Sequence, residues 1–138
     1  MIIDATNLIA GRLATVVAKK ALLGEEITIV NAELAVFTGD KKKVLAAQKQ
    51  KRERGAPLIG PFVPRQPDRM LKRTIRGMLP YKQPRGEKAF KSIICYVGLP
   101  KRFEGQDIQT IEVANVEKVT QIKYVTIGEI CKLLGGNV

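Results

Sequence analysis

The sequence contains no histidine and a single serine, Ser92. Histidine is the commonest general base, so its absence also removes the Ser-His and Cys-His nucleophile pairs. Ser92 stands at the edge of a predicted strand and outside any nucleophile-elbow sequence. Cysteine is nearly as scarce. Cys95 and Cys131 lie 36 positions apart, too few for a disulfide framework and, without histidine, too few for the four ligands a zinc site takes. They read as two small buried apolar residues. No apolar run approaches the ~18 residues of a membrane span. Met1 to Thr6 shows no basic stretch leading into an apolar one, so no secretory signal is read and the cytoplasm is the expected location. Neither G-x-G-x-x-G nor G-x-x-x-x-G-K-[ST] occurs, which leaves no glycine-rich phosphate loop. No enzyme, cofactor or metal site is expected.

What the sequence has is positive charge. Its 24 Lys+Arg against 13 Asp+Glu give a net +11 over 138 residues, and 45% of the residues are hydrophobic. That length and apolar content fit one globular domain over 1–138, large enough to bury a core. The charge is concentrated: residues 41–102 hold 18 basic groups and three acids (Glu53, Asp68, Glu87), a net of +15. The rest holds six basic and ten acidic groups, a net of −4. A cationic middle flanked by mildly acidic ends reads as one polyanion-facing surface on an ordinary domain. Phosphate backbones and anionic membranes both fit that description. The absence of a lipidation motif or a strongly amphipathic basic helix disfavours the membrane.

Hydrophobic spacing predicts the frame. Met1–Ala5 is a short strand. Leu8–Leu23 is a helix through Ile9, Leu13, Val16, Val17 and Ala21, capped by Asn7 and stopped by Gly24. Ile27–Val30 is a β-branched strand, and the three pieces form a βαβ unit with a parallel pair and a right-handed crossover. Ala35–Thr38 is another strand or an extended turn. Asp40 can cap a helix from Lys41 to about Arg54 with Val44, Leu45 and Ala47 on one side. Gly55–Pro67 holds four of the seven prolines and can be neither helix nor central strand. Its Leu58, Ile59, Phe62 and Val63 predict an ordered extended loop, with Phe62 packed more readily than stacked on a base. Asp68 opens a helix with Met70, Leu71, Ile75, Met78 and Leu79 on one face, ended by Pro80. Tyr81–Gly86 is a basic loop, Glu87–Lys91 one helical turn and Ile93–Val97 a strand. Ile111–Val125 leans to β. Thr126 and Glu129 match a capping box ahead of Ile127, Ile130, Leu133 and Leu134.

Asp4, Glu33 and Asp40 could in principle gather magnesium at the strand ends, where α/β folds place sites. Ordinary roles explain them better: a turn hydrogen bond for Asp4, an arginine partner for Glu33 and a helix cap for Asp40. The basic cluster therefore carries the function. Arginine grips phosphate bidentately, while lysine acts as a point charge. Lys41, Lys42 and Lys43 sit in a first helical turn, where cations oppose the macrodipole and an external polyanion would compensate. Arg52 and Arg54 follow at that helix's end. Arg69, Arg73 and Arg76 form a stripe beside Lys72, and Arg65 joins it if it extends the helix. Tyr81, Lys82, Arg85 and Lys88 populate the next basic stretch, Lys101 and Arg102 its end. Tyr81, like Phe62, could stack on an unpaired base. No paired aromatic strand motif, GXXG loop or zinc finger points to sequence-specific readout.

Four segments in register resemble the universal large-subunit ribosomal protein family numbered thirteen, in its archaeal and eukaryotic form. They are Ile3-Asp4-Ala5 with Gly11-Arg12-Leu13-Ala14; Val30-Asn31-Ala32-Glu33 with Thr38-Gly39; Arg73-Thr74-Ile75-Arg76-Gly77-Met78-Leu79-Pro80 with Gly86; and Ile94-Cys95-Tyr96-Val97-Gly98-Leu99-Pro100. The match covers about residues 1–103. It departs from bacterial members, which carry an N-terminal extension with tryptophan and a histidine-containing segment near Gly55–Gly60. The resemblance implies a three-layer α/β/α sandwich with a small, mostly parallel four-stranded sheet. It also implies a structural constituent of the large ribosomal subunit, partnered by large-subunit rRNA and neighbouring ribosomal proteins, with no membrane and no small-molecule substrate. A magnesium-dependent nuclease and a free-standing regulatory RNA-binding module are the rival readings.

Overall fold

The computed structural model describes residues 1–120 and 123–138. Strand β1 (Ile2–Asp4), helix α1 (Ala10–Leu22) and strand β2 (Ile27–Val30) form the βαβ unit, with Ile2 opposite Thr28 and Asp4 opposite Val30 in parallel register. Helix α1 starts later than its hydrophobic spacing predicts, because Leu8 and Ile9 bridge to Asn115 and Val36 instead. Asn7 is not the cap. Its backbone is left-handed, with φ 57°, and Ile9 takes the cap position without a side-chain bond. The helix ends as expected, with Lys19 and Lys20 in its last turn and Gly24 at φ 98° beyond it.

Strands β3 (Val36–Thr38), β4 (Ile93–Cys95), β5 (Ile108–Gln109) and β6 (Tyr124–Thr126) complete two sheets. The main sheet has the order β4-β2-β1-β5 with every neighbouring pair parallel. Parallel neighbours cannot be joined by hairpins, so helices α2 (Lys41–Glu53), α3 (Pro67–Arg76) and α4 (Pro84–Lys91) fill the connection from β2 to β4. The result is the α/β sandwich, with a parallel four-stranded sheet, that the family resemblance implies. Strands β3 and β6 form a separate antiparallel ribbon, Phe37 opposite Val125. The β-leaning stretch 111–125 is mostly not strand. It contains 3-10 turns at Glu112–Ala114 and Val116–Lys118 before β6, and its residues 121–122 lie outside the described residues.

The core closes where α1 meets α3. Leu13, Ala14 and Val17 of α1 are buried in one cluster with Leu71 and Ile75 of α3, the sheet residues Ile3, Ile29 and Ile93, and Ile127 and Ile130 of helix α5 (Ile127–Leu133). The hydroxyl of Thr126 accepts a bond from the Glu129 N–H at 3.2 Å, as the capping box requires. Leu133 points outward, although its spacing suggested otherwise. Met78 also departs from its predicted face: it lies past the end of α3 and is 43% exposed, while Leu79 is buried. Helix α2 buries no residue fully; Val44 and Leu45 are half-buried and Ala47 is exposed, because too little of its surface is apolar. Asp40 occupies its cap position but forms no side-chain cap bond. Helix α4 begins at Pro84, not Glu87, since proline at the first helical position forfeits an N–H that would be unpaired anyway. Gly86 lies in that first turn, and a Cβ there would overlap the Pro80 carbonyl. Burial pushes the Cys95 thiol up to about 12 and the Cys131 thiol up to about 11, so both stay protonated at neutral pH.

Candidate nucleic-acid interface

The carboxylates at the strand ends have separate local tasks. Asp4 Oδ1 accepts from the Thr6 N–H at 2.9 Å, the Thr6 hydroxyl at 2.6 Å and the Asn31 amide at 3.0 Å. Burial opposes its ionisation, but those donors outweigh burial and hold its carboxyl below the ordinary range. Glu33 accepts the Gly98 N–H at 3.0 and 3.2 Å rather than pairing with an arginine. Among the described residues no group of three or more carboxylates or thiols converges.

The cations are arranged differently. Of the 18 basic residues between 41 and 102, only Lys41, Lys49 and Lys91 have a carboxylate within 4 Å among the described residues, which leaves 15 unpaired. Lys41 Nζ lies 2.8 Å from Glu129, while Lys42 and Lys43 are exposed at the positive end of α2. Arg52 is partly a structural tie, since its guanidinium donates to the Leu134 carbonyl at 2.7 Å. Arg54 and Arg65 line one cleft with Pro57 and Phe62. Arg65 precedes α3 and lies against Gly135 and Gly136 of the C-terminal segment, so it does not extend the arginine stripe.

Helix α3 carries the stripe itself. Arg69, Lys72, Arg73 and Arg76 stand at i, i+3, i+4 and i+7, the spacing of one helix face, and line a groove of about 290 Å³ with Phe62, Pro64 and Phe90. Arg73 and Pro64 also line a second cleft with Lys51 and Arg54. The Pro61–Pro64 segment therefore runs between two basic clefts. The apolar side chains of the Gly55–Pro67 loop predict order and packing of Phe62, yet Leu58 is 90% exposed, Ile59 86% and Phe62 74%. The tie comes from elsewhere: Arg73 Nη1 donates to the Phe62 carbonyl at 3.1 Å.

Several cations are held over aromatic rings. Lys72 Nζ is 4.8 Å from the Phe90 centroid and the Arg76 guanidinium 4.9 Å from that of Tyr81. Arg102 lies over both Tyr96 and Phe103, at 4.7 and 4.5 Å, and bonds the Tyr96 hydroxyl. Each such contact contributes only ~0.5–1 kcal/mol at an exposed site. It also pre-orders a long side chain, which reduces the entropy that side chain would lose on taking an anion. Tyr81, Lys82 and Leu79 line a shallow cleft of their own. Arg85 and Lys88 sit apart from the stripe, against Leu22, Leu23 and Glu26 at the end of α1. Lys101 is exposed in the 3-10 turn Lys101–Phe103. Sequence reasoning does not single out Lys51 or Phe90. Phe90 meets Lys72 only through the packing of α4 beside α3, and no spacing rule connects positions 18 apart on separate helices.

A family model described as ribosomal protein L13 matches residues 1–102. The large ribosomal subunit protein uL13 of Archaeoglobus fulgidus is 46% identical over 135 residues, spanning 97% of this chain and 86% of that protein. The uL13 protein of Methanosarcina barkeri is 47% identical over 135 residues, spanning 97% and 96%. That of Natronomonas pharaonis is 41% identical over 138 residues, spanning 100% and 92%.

Proposed function

The chain belongs to the ribosomal protein L13 family, and from that membership we propose that it is a structural constituent of the large ribosomal subunit. It binds large-subunit rRNA mainly through phosphate contacts and supports subunit assembly within the cytoplasmic ribosome. Residues 1–138 act as one domain, and its segment 41–102 faces the RNA beside neighbouring large-subunit proteins. The observation that carries this reading is the set of 15 basic side chains in segment 41–102 that, among the described residues, have no carboxylate partner, most of them on α2, α3 and the loop between them and the rest on α4 and the turns beside it. Phosphate is the anion that would neutralise them. Fifteen like charges on one segment repel one another in the free protein, so RNA relieves a repulsion as well as forming contacts.

A tagged copy of the full chain, followed through a sucrose gradient after a high-salt wash, is expected to travel with the large subunit. A chain that remains at the top of the gradient, bound to a defined short RNA, would support the regulatory-module reading instead.

A further inference from the structure

We infer that the groove between α3 and the Pro61–Pro64 segment is a seat for a single unstacked nucleotide, its base on the Phe62 ring and its phosphate between Arg69 and Arg76. This rests on the rRNA-binding reading and names the chemistry of one contact within it. The groove's lining joins four cations to two aromatic rings and includes no carboxylate. Isolated exposed apolar side chains are ordinary on a protein surface. Phe62 is not isolated. It is 74% exposed, and among the described residues no cation or second ring covers it, whereas Phe90, Tyr81, Tyr96 and Phe103 each have a cation over the ring. Its backbone is nevertheless tied to the helix, because Arg73 donates to the Phe62 carbonyl at 3.1 Å. Arg69 is exposed, and the Arg76 guanidinium, ordered over the Tyr81 ring as Lys72 is over Phe90, still has in-plane N–H groups to offer an anion.

Three occupants can be compared. A continuous duplex would use the cations and leave the ring in water, since paired bases present no open face. An apolar protein surface would cover the ring and take four cations out of water without an anion to neutralise them, which is strongly unfavourable. An unstacked nucleotide satisfies both, with a π-face for Phe62 and a phosphate for the arginines. The volume of about 290 Å³ is near the lower limit of ligand-sized clefts, ~300 Å³, and suits one base. Leu58 and Ile59, though more exposed, lie outside the groove and have no π-face to offer.

The test uses the full chain and three RNA hairpins: one with a single unpaired adenosine, one with an abasic residue at that position, and one fully paired. The wild-type protein is expected to bind the adenosine hairpin about 5- to 150-fold more tightly than the abasic one, the range that one base–aromatic stack supports. Phe62→Ala should remove that preference while leaving affinity for the paired hairpin unchanged, and Phe62→Tyr should keep it. Arg69→Ala should weaken all three together. Equal binding of the adenosine and abasic hairpins by the wild type, or a preference that survives Phe62→Ala, overturns the nucleotide seat and leaves the rRNA-binding reading standing. Failure to bind any hairpin at low salt removes both.

Discussion

Affinity of the full-length protein for large-subunit rRNA fragments is expected to fall by roughly three to five decades between 50 and 200 mM salt. Each phosphate that a lysine or arginine neutralises releases condensed counterions, so the logarithm of affinity declines linearly with the logarithm of salt concentration. About 6–10 such contacts yield the stated loss. Among the described residues, 15 basic side chains in segment 41–102 have no carboxylate partner, more than that number requires. Arg52 is tied to the Leu134 carbonyl and Arg73 to the Phe62 carbonyl, so not every cation is equally free to reach phosphate. Titration of a labelled rRNA fragment across a salt series checks the slope. A nearly flat plot would mean that apolar contacts, Leu58 and Ile59 among them, dominate the interface.

Leu71→Ala is expected to lower stability by ~2–5 kcal/mol, the cost of losing a buried leucine and leaving a cavity. Leu71 is fully buried in the cluster that joins α3 to α1 and the sheet. Against a total of ~5–15 kcal/mol for a domain, that loss is a large share. Arg69→Ala, exposed on the opposite side of the same helix, should change stability by less than ~0.5 kcal/mol. Urea melts of the two variants separate the faces. Equal destabilisation would place Arg69 in the packing and contradict its assignment to the RNA.

Much of the frame is legible in the sequence, because local rules and burial agree there. The β1-α1-β2 unit follows from residue spacing, and the Thr126 cap from a four-residue pattern. The proline loop is misread for a physical reason. Apolar side chains signal burial only when the backbone can hold them against a core, and proline removes the donors that would do so. Leu58, Ile59 and Phe62 therefore face outward. Strand β5 escapes notice because two residues, Ile108 and Gln109, suffice when β1 is already in place to pair with them. The partner of Glu33 is the backbone of Gly98, 65 positions away, and no local pattern reports such a contact. The start of α4 could have been found, since proline followed by a basic-acidic helical turn is an N-terminal signal. The basic stripe on α3 is legible as charge. Phe62 is legible as a ring that could stack, but its meeting with Phe90 at the stripe is not, because the two approach it from separate parts of the chain.

The central claim is that the location of the positive charge, not its total, places this protein on RNA. It can be tested by neutralising four cations at a time. One variant carries glutamine at Arg69, Lys72, Arg73 and Arg76; the other carries it at Arg12, Lys19, Lys123 and Lys132, all exposed and outside segment 41–102. Each loses four positive charges, so the net falls from +11 to +7 in both. Each is co-expressed with the wild-type chain, and the ratio of the two forms in high-salt-washed large subunits is read by mass spectrometry. The first variant is expected to be displaced by the wild type and the second to enter nearly as well. Equal entry of both variants, or exclusion of the second alone, would contradict the central claim.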